Sequence, residues 1–236
     1  MPTIPGSVEK TGAGNSFKNA TRVQVSFVTA AEKRALAWFA ARMPAWVGSD
    51  HLTILGFAAQ IMVGVSYALS RYNKIWLLWG ILFLAVNWFG DSLDGTLARF
   101  RNRQRPRYGF YVDHVIDAIG STALMVGLAL SGVMTPIIAL ALLVAFLLLA
   151  IEVYLATYTI GSFHLSFFNL GPTEIRIILA IGNIALYVRG PWAHISGHAF
   201  LLFDGGAVVS IIVMNIMFLY AAIKHTAQLY REERLP

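Results

Sequence analysis

Apolar runs of membrane length dominate this chain, and no other feature restricts its fold as much. Six can be read, over residues 52–69, 75–98, 109–130, 136–160, 173–188 and 205–223. Most approach the ~20 residues that a helix needs to cross ~30 Å of hydrocarbon, and the fifth is the shortest. Within hydrocarbon a backbone must satisfy its own hydrogen bonds, so such runs fold as helices. With 57% hydrophobic and 13% charged residues in 236, and a mean hydropathy of +0.64, the composition is that of an integral membrane protein. The absence of cysteine excludes disulfides and thiolate chemistry.

The flanking segments differ from one another. Residues 1–28 are polar and Gly-rich, lack the apolar centre of a signal peptide, and are expected to form a flexible cytoplasmic tail. Over residues 29–48, Leu36, Phe39, Ala40, Met43 and Val47 recur at helical spacing opposite Glu32, Lys33, Arg34 and Arg42. That segment is too charged to span and predicts an amphipathic helix lying in the interface, with Trp38 and Trp46 at headgroup level. The expected fold is therefore all-α. Six transmembrane helices over 49–224 form one domain, preceded by the interfacial helix and followed by a cytoplasmic tail over 225–236. Fourteen of the 18 Lys and Arg residues fall in segments that this layout puts on one side, and Arg176 lies in the first turn of the fifth run at that same side. The positive-inside rule then places both termini in the cytoplasm, in a plasma or inner membrane. The net charge of +6 suits anionic headgroups or nucleotides; no nucleic-acid partner is expected.

Against this apolar background, four of the 12 acidic residues, Asp91, Asp94, Asp113 and Asp117, fall within 27 positions. A carboxylate in or beside hydrocarbon persists where it has a task and a partner. Asp91 lies roughly 24 Å along the second run from its outer start, near the cytoplasmic edge. Asp113 and Asp117 occupy the first two turns of the third run, at the same edge. Spacings of three and four put each pair on one helix face. Four oxygen donors from two antiparallel helices, without Cys or His, describe a site for Mg²⁺ or Mn²⁺, with Ca²⁺ as a substitute in vitro. So much clustered charge calls for two ions. Gly95 and Ala98 leave a notch where a flat ligand can approach the backbone. Arg99 can pair with a phosphate or with one of the aspartates, and Gly109 permits a tight entry of the chain into the third helix.

The pattern Asp91-x-x-Asp94-Gly95-x-x-Ala98-Arg99, then Gly109-x-x-x-Asp113-x-x-x-Asp117, resembles the signature of the CDP-alcohol phosphotransferase (CDP-alcohol phosphatidyltransferase) family of membrane enzymes. All eight fixed positions match. One departure falls in the loop: nine residues, 100–108, separate Arg99 from Gly109, where the usual pattern has eight. The resemblance implies a metal-dependent transferase of phospholipid biosynthesis, in which a CDP-alcohol gives its phosphoalcohol moiety to an acceptor hydroxyl and releases CMP. It further implies that Asp91, Asp94 and Asp113 hold the metal ions with Asp117 contributing, that Asp117 is the general base, and that Gly95 and Ala98 make room for the nucleotide. A homodimer is also implied. CDP-diacylglycerol or a related CDP-lipid is the favoured donor, with a polar alcohol as acceptor and membrane lipids around it. The alternative is a choline- or ethanolamine-type CDP-amino-alcohol acting on a lipid hydroxyl, which Asp113-His114 resembles in outline. From another class, the carboxylates could line a divalent-cation transporter, although transport sites normally sit near the midplane between broken helices.

Other residues admit two readings each. Glu152 falls at the depth of the aspartates, where it contacts the acceptor, with Tyr154 and Tyr158 nearby, or is a hydrogen-bonded interior group. Glu174 and Arg176 are candidates for substrate phosphate or headgroup contact, and helix capping explains them nearly as well. Arg101, Arg103, Arg105 and Arg107 could guide anionic substrates, but a short cytoplasmic loop is Arg-rich for topology alone, which is the favoured reading. His194 and His198 have the i, i+4 spacing of metal ligands, but lie in a loop on the opposite side of the membrane with no third ligand and are incidental.

Overall fold

The computed structural model describes residues 29–160, 171–195 and 198–233, so the expected N-terminal tail lies outside the described residues. Prolines and glycines set most helix boundaries. After α1 (Thr29–Arg42) and α2 (Ser49–Ser70) comes α3 (Ile75–Phe100), and then α4 (Pro106–Ser131), α5 (Pro136–Thr159) and α6 (Pro172–Arg189) each begin on a proline. There the fixed φ suits the first turn and the missing N–H would have had no helical partner. Helix α4 closes at Gly132, whose φ of 78° is left-handed and costs glycine little.

The amphipathic segment is shorter than the expected 29–48: α1 ends at Arg42, because Pro44 disfavours helical backbone at Met43. The carbonyls freed there do not go unpaired. Arg101 donates to those of Met43 and Pro44, each at 2.9 Å, and of Val47 at 2.5 Å. Leu36 and Ala40 are buried with Leu93 and Leu97 of α3, while Trp38 and Trp46 remain exposed.

Helices α2, α3, α4, α5 and α7 (Leu202–Glu232) are long and apolar enough to cross a membrane. Helix α6, which coincides with the fifth expected span, is not among them; its 18 residues include Glu174, Arg176 and Arg189. The expected C-terminal tail is helical to Glu232 as the end of α7. An antiparallel hairpin of β1 (Trp192–Ile195) and β2 (His198–Leu201) replaces the expected loop after α6. His194 and His198 therefore lie on opposite strands, and the i, i+4 geometry of a helix does not arise.

Helix α2 is the hub, packing most extensively on α3 and α4; α6 lies against α3, α5 against α4, and α7 against α5. Small residues bring the three central backbones together. A Cβ on Gly90 of α3 would come within 2.5 Å of the Gly56 nitrogen, and one on Gly127 of α4 within 2.0 Å of the Gly64 carbonyl oxygen. Farther along, the Tyr67 hydroxyl donates to Asn183 Oδ1 at 2.8 Å and Asn183 donates to the Leu77 carbonyl at 3.2 Å, joining α2, α6 and α3 through a satisfied buried network.

Candidate functional site

One face each of α2, α3 and α4 lines a single cleft. Thr53, Gly56, Phe57 and Gln60 come from α2, Asn87, Asp91 and Asp94 from α3, and Asp113, Ile116 and Asp117 from α4. Spacings of three and four within each set are those of one helical stripe, so regular helices suffice to gather all four aspartates.

Asp94 is held on both oxygens. Thr53 Oγ1 donates to its Oδ2 at 2.6 Å, and the amide of Gly95 donates to its Oδ1. Asp91 is met from another helix, since Arg176 Nη2 of α6 donates to its Oδ2 at 2.6 Å. Arg176 Nε donates to Asn87 Oδ1 at 2.7 Å, and Asn87 Nδ2 donates to the Gly56 carbonyl at 2.9 Å. The side chain of Arg176 is only 16% exposed, so its charge is committed to this chain from α6 through α3 to α2. A planar guanidinium can make both links at fixed angles, which a lysine cannot.

Carboxylate oxygens with a hydroxyl and amides nearby are the donors that hard divalent cations accept. As placed, however, no three His, Cys, Asp or Glu side chains among the described residues converge into a metal-holding group. A cation drawing on Asp91 or Asp94 competes with Arg176 or Thr53 for the same oxygens.

The remaining expected residues divide. Ala98 lines a neighbouring groove with His51, Arg101 and Arg105. Arg99 donates from Nη2 to Thr96 Oγ1 at 3.2 Å, and its guanidinium lies over Gly95, 3.4 Å from where a Cβ would sit. Gly109 has open space at that position, within the first turn of α4, so the chain enters the helix at Pro106 and not through a tight approach at Gly109. Glu174 reaches back to the Gly171 N–H at 2.9 Å, the capping geometry. Glu152 is outside the residues lining the cleft and is joined to His225 Nδ1 of α7 at 2.5 Å, with 10% of its side chain exposed. Of the loop arginines, Arg101 ties down the α1–α2 connection and Arg105 pairs with Asp50, which goes beyond the topological reading.

Sequence reasoning overlooked Thr53, Gln60 and Asn87 in the cleft. A signal existed: Asn87 precedes Asp91 by four positions, on the same face, and Thr53 and Gln60 are seven apart in an otherwise apolar run.

Residues 46–203 match the family model described as CDP-alcohol phosphatidyltransferase. Over 83 residues the chain is 37% identical to an archaetidylinositol phosphate synthase of Pyrococcus horikoshii, covering 35% of this chain and 41% of that protein. Over 149 residues it is 26% identical to an archaetidylinositol phosphate synthase of Methanothermobacter thermautotrophicus, covering 61% of this chain and 70% of that one. The chain thus spans less than half of the first relative and somewhat over two thirds of the second.

Proposed function

We propose, on the premise that the chain belongs to the CDP-alcohol phosphatidyltransferase family, that it transfers the phospholipid moiety of a CDP-linked lipid to an acceptor hydroxyl and releases CMP. The family uses a CDP-alcohol donor and an alcohol acceptor in a lipid context and generally depends on a divalent metal. The convergence of Asp91, Asp94, Asp113 and Asp117 on one cleft carries this proposal.

In this reading Asp117 takes the proton of the acceptor hydroxyl as its oxygen attacks the phosphorus that bears the lipid alcohol. The bond from that phosphorus to the oxygen of CMP breaks, and CMP departs with the electron pair. Mg²⁺ or Mn²⁺, as a pair of ions on Asp91, Asp94 and Asp113 with Asp117 contributing, would supply charge neutralisation of the diphosphate and of the leaving CMP. Thr53 and the Gly95 amide hold Asp94 in orientation. Gly95 and Ala98 make room for the cytidine once the Arg99 guanidinium moves from its place over Gly95 to the donor phosphates.

The names of the two relatives support an inositol phosphate as acceptor and an archaetidyl CDP-lipid as donor; CDP-diacylglycerol is the donor favoured from the sequence. Arg176 fits that choice through an exchange of partners, since its guanidinium, held by Asp91 and Asn87, can receive a phosphate in place of the Asp91 carboxylate. Glu174 supports the site from a helix cap, and Glu152 through an interhelical hydrogen bond to His225. We place α6 in the membrane as a sixth span, α1 in the interface, and the cleft and both termini on the cytoplasmic side, in a homodimer. The divalent-cation transporter has no support beyond the carboxylates themselves.

Product analysis tests the substrate choice. The purified protein in nanodiscs, given CDP-diacylglycerol or CDP-archaeol with Mg²⁺, is expected to form a lipid-linked inositol phosphate, identified by mass spectrometry, in preference to products of free inositol, glycerol phosphate or serine. Product only from CDP-choline or CDP-ethanolamine with diacylglycerol would replace this reading with the amino-alcohol one.

A further inference from the structure

Helix α1 carries an acidic residue whose bonds extend well beyond its own helix. Glu32 Oε1 accepts from Trp88 Nε1 of α3 at 2.7 Å and from Thr173 Oγ1 of α6 at 2.8 Å. The two donors have a common relation to the cleft. Trp88 precedes Asp91 by three residues on α3, and Thr173 precedes Arg176 by three on α6. Residues three apart share a helix face, so Trp88 and Asp91 on α3 and Thr173 and Arg176 on α6 belong to one contact region. Because the helices run antiparallel, with Asn183 on the Leu77 carbonyl and Arg176 on Asn87, the fork at Glu32 and the Arg176–Asp91 ion pair cross between them as two neighbouring ties.

This arrangement answers a mechanical problem. Arg176 reaches Asp91 and Asn87 with two nitrogens of one planar group, 2.6 and 2.7 Å from their acceptors, a geometry lost with a small shift of α6 along α3. Helix α6 begins only at Pro172, so Thr173 and Arg176 lie in its first turns, where intrahelical bonds restrain the chain least. A carboxylate accepting two side-chain bonds there fixes the axial register of α6 on α3. Both donors are neutral, so the anion of Glu32 makes charge-assisted bonds, stronger than those between neutral groups. Capping does not require this contact, because Glu174 already supplies the α6 cap.

We infer that Glu32 is a positioning residue for the substrate site, holding the first turn of α6 against α3 so that the Arg176 guanidinium is presented at the edge of the aspartate cleft. Glu32 acts through Thr173 and Trp88 and touches no substrate. Seating of α1 thereby becomes a condition for a complete site. The role of Arg176 toward an acceptor phosphate rests on the reading above; the mechanical role does not.

Two measurements on the full-length protein in nanodiscs test this. The chain has no cysteine, so Phe100→Cys on α3 and Ile178→Cys on α6, both exposed, take spin labels for distance measurement by electron–electron double resonance. Glu32→Ala is expected to broaden and lengthen the α3–α6 distance distribution. Glu32→Gln keeps an acceptor oxygen for both donors and is expected to restore the narrow one, while Thr173→Val, the milder variant should Glu32→Ala fail to fold, broadens it partly. In CMP-release kinetics, Glu32→Ala should raise the acceptor KM about tenfold with kcat within about twofold, the pattern of lost uniform binding. An α3–α6 distribution in Glu32→Ala that matches the wild type would overturn the proposal, as would Glu32→Gln behaving like Glu32→Ala. If the wild type releases no CMP from any donor and acceptor pair, the functional reading fails, and the distance measurement still decides the role of Glu32.

Discussion

Asp117 shares the cleft with Asp91, Asp94 and Asp113, and lies one turn from Asp113 on α4. If it is the base, Asp117→Asn removes proton acceptance while changing one atom of the side chain. Turnover is expected to fall by roughly 10²- to 10⁴-fold, with CDP-lipid affinity within a few-fold of wild type by equilibrium binding. Arg176 gives a complementary prediction. Arg176→Lys keeps the charge but loses the fork that joins Asp91 to Asn87. Acceptor KM is expected to rise about ten- to a hundredfold, the scale of a lost hydrogen bond to a charged group; an unchanged KM would remove Arg176 from the acceptor side. At this scale the motif was legible because chemistry needs those residue types at helical spacings. Their partners were not: Arg176 is 85 positions from Asp91 and Thr173 is 141 from Glu32, and nothing local in the chain records that α6 folds back onto α3.

At the scale of the elements, glycine decides how closely α2 meets its neighbours, and two substitutions separate packing from mere composition. Gly127→Ala would put a Cβ 2.0 Å from the Gly64 carbonyl oxygen, so the backbones must part. A cost of about 1–3 kcal/mol is expected, seen as a lower midpoint of thermal unfolding in detergent. Gly109→Ala meets nothing within 4 Å and should leave that midpoint unchanged. Arg101→Ala takes a donor from three carbonyls of the α1–α2 connection, leaving Pro44 with the Val47 N–H at 3.1 Å, and is expected to speed proteolysis there. The helices themselves were legible because apolar runs bounded by Pro106, Pro136 and Pro172 leave few alternatives. The end of α1 at Arg42 was also written in the sequence, in Pro44, where apolar periodicity misleadingly continues to Val47. The hairpin at Trp192–Leu201 was not, since four-residue strands carry too little periodic signal to separate from a loop. Helix α6 shows the opposite limit: its hydropathy is interrupted by charges that the fold uses, one of them at the aspartate cleft.

At the scale of the whole molecule, α2 brings α3 and α4 together so that both halves of the motif open on one cleft, and α6 and α1 close around α3 beside it. The chain belongs to the CDP-alcohol phosphatidyltransferase family, and the central proposal made for it is that the four carboxylates on this cleft act as a single catalytic centre. The most direct test is CMP release from a CDP-lipid by the purified protein with Mg²⁺ or Mn²⁺, run beside Asp94→Asn and Asp117→Asn. Release that depends on the metal, is abolished by a chelator, and falls at least about a hundredfold in both variants is the predicted result. Undiminished release in either variant would contradict the single-centre assignment.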